Sequence, residues 1–203
     1  MTVRPLLDLY PPVRQLNSLF YGVIDGVLTA RTPCPDWTVG DLLDHLMGLG
    51  SAFTQAARKM TTVAGPPPPP SAAHLHPQWR SRLPVLLEDL VTAWADPLAW
   101  TGTTQAGGVT MPAEQMGVVA VNELTLHGWD LARATGQDFA ADPRTLLVLE
   151  SFLTRSRNGA GPTRSRNATG TAAFGAVGEV DDEASLLERV VGLSGRDPYW
   201  RPS

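Results

Sequence analysis

The stretch Val118–Ala134, VVAVNELTLHGWDLARA, decides how this chain is read. It has no Pro, one interior Gly, and enough apolar side chains to be buried. Within it Glu123, His127 and Asp130 follow one another at steps of four and three residues. At 3.6 residues per turn those side chains stack on one helix face. Met116, Val119, Ala120, Leu131 and Ala134 share that face, so the polar groups interrupt a core-facing stripe. A carboxylate buried without a partner is strongly destabilising, or takes up a proton. A metal ion or a tight hydrogen-bonded pair removes that cost. Glu-x-x-x-His supplies two ligands within one turn, the spacing logic that zinc helices use with two histidines. On its own the stretch is equally met by a helix with an internally satisfied Glu–His pair.

Composition narrows the classes around that helix. With 203 residues the chain is long enough for a substantial core. An apolar content of 43% and a charged content of 18% fit a globular domain. A net charge of -4 argues against non-specific nucleic-acid binding, which needs a basic face. The apolar runs fall short of the ~20 residues of a membrane helix. The N-terminal stretch breaks at Pro11 and Pro12 before a signal-peptide core develops, so the expected location is cytoplasmic. The lone Cys34 excludes an internal disulfide and a thiolate-rich metal cluster.

Periodicity places helices on both sides. A first apolar stripe covers residues 12 to 24, from Val13 to Ile24. Thr38 and Asp41 read as the start of a second helix running to about Lys59, with His45 inside the stripe of Leu42, Leu46, Leu49 and Phe53. Residues 61–78 hold Pro66 to Pro70 and are expected to form an extended crossover strap, with His74 and His76 as exposed bystanders. Trp79–Ala95 is the cleanest amphipathic helix. A loop with Gly102, Gly107 and Gly108 leads into the central helix, from about Pro112 to Thr135, closed by Gly136. Helices are expected at Leu146–Leu153 and Asp181–Leu193. Residues 154–171 repeat Thr-Arg-Ser-Arg-Asn in a Gly-rich tract and read as a flexible basic insertion. The fold class expected is all-α: one domain over 1–203, a four-helix bundle with a long crossover and an extra C-terminal helix.

Two signatures then carry a family resemblance. Thr32-Pro33-Cys34-Pro35-Asp36-Trp37-Thr38-Val39 with Asp41, Leu42, Leu43 and His45 resembles the first signature of actinobacterial DinB-like proteins of the mycothiol-dependent maleylpyruvate isomerase N-terminal type. Glu123-Leu124, His127 to Ala132 and Ala134-Thr135-Gly136 resemble the second, and Phe174-Gly175 with Gly195-Arg196-Asp197-Pro198 resemble the C-terminal ending. The resemblance implies a DinB-like bundle with a divalent metal on His45, Glu123 and His127. The isomerase itself carries a C-terminal domain that contributes to its reaction. This chain is expected to end without one, so maleylpyruvate isomerisation is not carried over.

Two imidazoles and a carboxylate leave coordination positions open, the arrangement of a catalytic site. Zn²⁺ is the first choice for this set, and Ni²⁺, Fe²⁺ and Mn²⁺ also fit its ligand types. In this resemblance the open position takes a low-molecular-weight thiol, mycothiol, as cosubstrate, and coordination deprotonates it. Asp130 either orients an imidazole from behind or makes a capping or inter-helix hydrogen bond. Trp37 and Trp129 either wall the pocket or pack in the core, and Cys34 reads as a packed small side chain. Three classes of function remain. They are a metal- and thiol-dependent transferase or isomerase of detoxification or specialised metabolism, a hydrolase using metal-bound water, and a non-catalytic binder. The expected partner is a small-molecule substrate, with no nucleic acid and no membrane; a homodimer is left open.

Overall fold

Capping residues set where the helices begin and end. The computed structural model describes residues 7–60, 68–158, 180–181 and 183–202. Helix α1 is Tyr10–Phe20, not residues 12 to 24, because Pro11 and Pro12 are accepted in its first turn, where their missing N–H groups have no helical partner to lose. Helix α2 is Val39–Ala57. The Thr38 hydroxyl accepts from the Asp41 N–H and the Asp41 carboxylate accepts from the Thr38 N–H, a reciprocal cap. The helix stops short of Lys59, which lies in the left-handed region at φ 56°.

Helix α3 is Trp79–Ala95, as its periodicity predicts. It runs in the same direction as α2: Gly50 faces Leu86 and Leu87, and Trp94 Nε1 donates to the Phe53 carbonyl at 3.1 Å. The connection therefore has to return along the bundle. Ser71 and Ala72 donate their N–H groups to Asp44 Oδ2 (3.0 Å) and Asp41 Oδ1 (2.6 Å), pinning it to the first turns of α2. Of the expected strap, residues 61–67 lie outside the described residues. The rest is not uniformly extended. Ser71 to Gln78 fold into turns, with His74 N–H donating to Ser71 O and Trp79 N–H to His76 O.

A β-hairpin that the periodicity did not predict follows: β1 (Thr103–Ala106) pairs antiparallel with β2 (Val109–Pro112). Gly107 and Gly108 make the turn at φ 56° and 81°, the left-handed pair that a tight two-residue hairpin requires. Thr104 Oγ1 donates to the Ala56 carbonyl at 2.5 Å and docks the hairpin on the end of α2.

Helix α4 is Ala113–Thr135, closed by Gly136 at φ 67°. From Ala120 to Ala132 every residue but Glu123 is buried. Helix α5 is Pro143–Arg157, capped by Asp142, and α6 is Leu186–Leu193, capped by Ser185 and Glu188. Two expectations are corrected here. The last helix starts at its Ser185 cap rather than at Asp181, and Thr154–Arg157 form the last turn of α5 rather than the start of a flexible insertion. Residues 159–171 of that insertion lie outside the described residues.

Helices α1 to α4 close a four-helix bundle in which α4 packs against α1 and α2, and α3 against α1 and α2. Helices α5 and α6 pack on each other, and α5 also on α4. Leu16, Leu42, Leu46, Leu83, Leu87, Leu124 and Leu131 are fully buried in the shared core. Among the described residues, no helix is long and apolar enough to cross a membrane. The described residues form the expected four-helix bundle with a long crossover, and beyond it they carry two C-terminal helices, α5 and α6, rather than one.

Gly117 on α4 offers a test of this packing. A Cβ there would overlap the buried Trp100 ring, whose Nε1 is tied to the Trp94 carbonyl. Gly→Ala inside a helix ordinarily stabilises by up to about 1 kcal/mol. Here overpacking reverses the sign, and Gly117→Ala should lower the unfolding free energy by about 1–3 kcal/mol in denaturant titrations.

Candidate metal centre

The site starts from a buried charge. Asp130 is completely buried on α4. Its Oδ1 accepts from Arg196 Nε at 2.7 Å and its Oδ2 from a terminal Arg196 nitrogen at 2.8 Å. A second terminal nitrogen of Arg196 donates to Ser194 Oγ at 3.2 Å. Burial alone would raise the Asp130 pKa, but the Arg196 guanidinium and the His127 ring outweigh it and hold the carboxyl below its ordinary value. Asp130 is therefore an anion, and the His127 Nδ1 lying 2.9 Å from its Oδ2 is the donor of that bond.

That bond decides what the other ring nitrogen does. His127 Nε2 lies 3.1 Å from Glu123 Oε2, and His45 Nε2, reaching across from α2, lies 3.7 Å from the same oxygen. The three ligand atoms fall within 4.8 Å of one another. His127 is 5% exposed, whereas His45 and Glu123 are 24% and 29% exposed, so the cluster is closed behind and open in front. For Glu123, burial would raise the pKa, yet the two imidazoles facing it hold its carboxyl far below the carboxylate range. Burial would also depress His127, but Asp130 and Glu123 raise it above the ordinary imidazole value. His45 has no such backing. Its burial dominates the Glu123 attraction, and its pKa is lowered.

A rigid loop covers the two rings. Residues Arg31 and Thr38 bridge, Thr32 N–H donates to the Trp37 carbonyl at 3.0 Å, and Trp37 N–H donates to the Cys34 carbonyl at 3.2 Å. Asp36 takes φ 66° to complete the turn. The Trp37 indole then stacks on His127 at 5.7 Å between ring centroids, with the planes 25° apart, and lies 4.7 Å from His45. Trp129, the other aromatic considered for the pocket wall, is buried, with the Arg133 guanidinium 5.9 Å from its ring centroid. Cys34 is half-buried, and that burial, only partly offset by Arg196, pushes its thiol up to about 12. It is fully protonated at neutral pH.

The structure thus brings together His45, Glu123, His127 and Asp130. It leaves His74 exposed and His76 half-exposed on the crossover. Arg196 is the site residue that sequence reasoning missed. It was noticed only as part of an ending motif, and nothing local links it to Asp130, 66 residues earlier.

The buried ion pair generates a prediction. Arg196→Met removes the cation and leaves Asp130 uncompensated, which should cost about 3–5 kcal/mol of unfolding free energy. Because the folded pKa of Asp130 lies below its ordinary 3.8, the stability it contributes is fully present above that value and is lost as pH falls through the folded pKa. Asp130→Asn should flatten that acid limb in unfolding curves collected across pH.

Comparison with known proteins fits this picture. Two curated relatives, uncharacterized proteins from two strains of Mycobacterium tuberculosis, are each 30% identical over 124 residues, covering 57% of this chain. The chain spans 59% of the length of those relatives. Two crystal structures of the mycothiol-dependent maleylpyruvate isomerase, one of them a histidine-to-alanine mutant, superpose with TM-scores of 0.60 and 0.58 at 19% identity. They share the fold over 98% of this chain and 94% and 93% of theirs. The mycothiol maleylpyruvate isomerase N-terminal domain model matches residues 13–132, which take in the Trp37 loop, His45, Glu123, His127 and Asp130, and the chain belongs to that family.

Proposed function

We propose that the protein is a divalent-metal-dependent enzyme that activates a low-molecular-weight thiol of the mycothiol type for isomerisation or transfer on a small electrophilic substrate. One observation carries the metal reading. The Nδ1 proton of His127 is committed to Asp130, so its Nε2 either bears a second proton or turns a lone pair toward a carboxylate oxygen 3.1 Å away. A cation between the two satisfies both, and His45 Nε2 supplies the third ligand from the neighbouring helix. The set is two nitrogens and one oxygen, suited to Zn²⁺ first and to Ni²⁺, Fe²⁺ or Mn²⁺ by ligand type.

A divalent ion held there would lower the pKa of a thiol or water enough to supply a nucleophile at neutral pH. The chain's own residues do the rest. Asp130, clamped by Arg196, keeps His127 in one tautomer and one orientation. The solvent-open side at Glu123 and His45 admits the thiol and the substrate. Cys34, half-buried with its thiol pushed up to about 12, is a poor thiolate source, and in this reading the sulfur comes from a cosubstrate. In such a reaction the thiolate would add to one carbon of an activated double bond as its π pair passes to the conjugated carbonyl; rotation and expulsion of the same thiolate would restore the double bond as the isomer, whereas uptake of a proton with the C–S bond kept would give transfer. The family membership supports the thiol, and the mycothiol dependence of the solved maleylpyruvate isomerase points the same way.

Elemental analysis tests the binding. Wild-type protein should carry about one equivalent of divalent metal and His127→Ala very little, since two ligands rarely hold a labile ion against water and buffer. His74→Ala and His76→Ala should keep full occupancy, and full occupancy in His127→Ala would end the reading. For the thiol, Co²⁺-loaded protein should change its visible spectrum when a small thiol is added. An unchanged spectrum at millimolar thiol would favour a water-activating hydrolase or a non-catalytic binder.

A further inference from the structure

The two histidines of the cluster are held in different ways. Ligating histidines are usually oriented by a hydrogen bond on the second ring nitrogen. His127 has that bond, to Asp130. His45 does not: among the described residues its ring makes only the 3.7 Å approach to Glu123, too long for a hydrogen bond. What its ring does meet is aromatic. Trp37 lies 4.7 Å away between centroids, with the planes tilted by 58°, and His127 lies edge-on at 4.8 Å.

Resting on the metal reading above, we propose that Trp37 is a positioning residue that fixes the His45 ring plane, replacing by packing the hydrogen bond that His45 lacks. The loop around it is built for this task. Thr32 Oγ1 donates within reach of both the Cys34 and Trp37 carbonyls (3.1 Å each) and accepts from the Cys34 N–H at 3.2 Å. Pro33 and Pro35 restrict the backbone on either side of Cys34. Asp36 holds a left-handed conformation that a non-glycine residue adopts only at some cost. Trp37 itself stands immediately before the Thr38 cap, so the indole and the start of the His45 helix share one rigid joint. An indole packed at a tilt against an imidazole at this distance contributes attraction beyond area burial and offers the ring a flat, rigid neighbour that an aliphatic side chain does not.

The test compares flat with merely apolar substitutes. Co²⁺ affinity and the visible d–d spectrum are measured for wild type, Trp37→Phe and Trp37→Leu, with melting temperature recorded alongside. Trp37→Leu should weaken Co²⁺ binding by about 10-fold or more, the usual effect of losing an orienting partner, and should alter the spectrum. Trp37→Phe should retain most of both. Equal affinity and an unchanged spectrum in Trp37→Leu would overturn the proposal while leaving the metal reading intact. Loss of binding in the Phe variant as large as in the Leu variant would also overturn it. Wild-type protein that takes up no Co²⁺ overturns both readings, and that result is seen before any Trp37 variant is made. A further readout needs no variant: in the metal-free wild type, the ring protons of His45 should carry a ring-current shift away from exposed-histidine positions in the NMR spectrum. His45 resonances at exposed-histidine positions, like those of His74, would sink the proposal.

Discussion

Everything at the centre of this molecule depends on one fully buried carboxylate. Asp130 sits on the most enclosed helix, where an unpartnered anion would be strongly destabilising. It is tolerated because a guanidinium from the chain's last segment meets it with two hydrogen bonds while an imidazole from its own helix meets it with one. Polarity then propagates outward in a fixed order. Arg196 holds Asp130 ionised, Asp130 makes His127 Nδ1 a donor, and His127 Nε2 is left facing Glu123.

The same chain of contacts separates a closed side from an open one. Behind the cluster, Asp130 and His127 are shut off from water, and fixed dipoles there act through a low effective dielectric. In front, Glu123 and His45 keep about a quarter of their surface exposed. In the function proposed above, the dry back would hold the imidazole in place and the wet front would admit small molecules.

Much of the fold was legible locally. Trp79–Ala95 matched its apolar period end to end, and Thr38 with Asp41 announced the start of α2. Gly136 marked the end of α4 by being the residue that can take φ 67° at no steric cost. The three side chains that converge at the candidate centre were legible too, but unequally. Glu123 and His127 follow from one helix period, whereas His45 was placed by a family resemblance. What escaped was non-local or very short. The hairpin has four-residue strands, too few for a period-2 pattern, and its one cue was the Gly107-Gly108 pair. The Asp130–Arg196 pair joins residues 66 apart and leaves no mark on either neighbourhood. Helix α1 starts at Tyr10, ahead of the apolar stripe, because a first turn accepts Pro11 and Pro12, and an apolar period carries no mark of that.

The parallel pairing of α2 and α3 has a consequence for how the chain reaches this state. Antiparallel neighbours joined by a tight turn can zip from the turn outward. Helices that point the same way cannot, because the chain must travel back the length of the first helix before the second can dock. Docking of α3 on α2 thus requires a non-local closure, and the returning chain is fastened by the polar pins at Asp41 and Asp44 to the same first turns of α2 that carry His45.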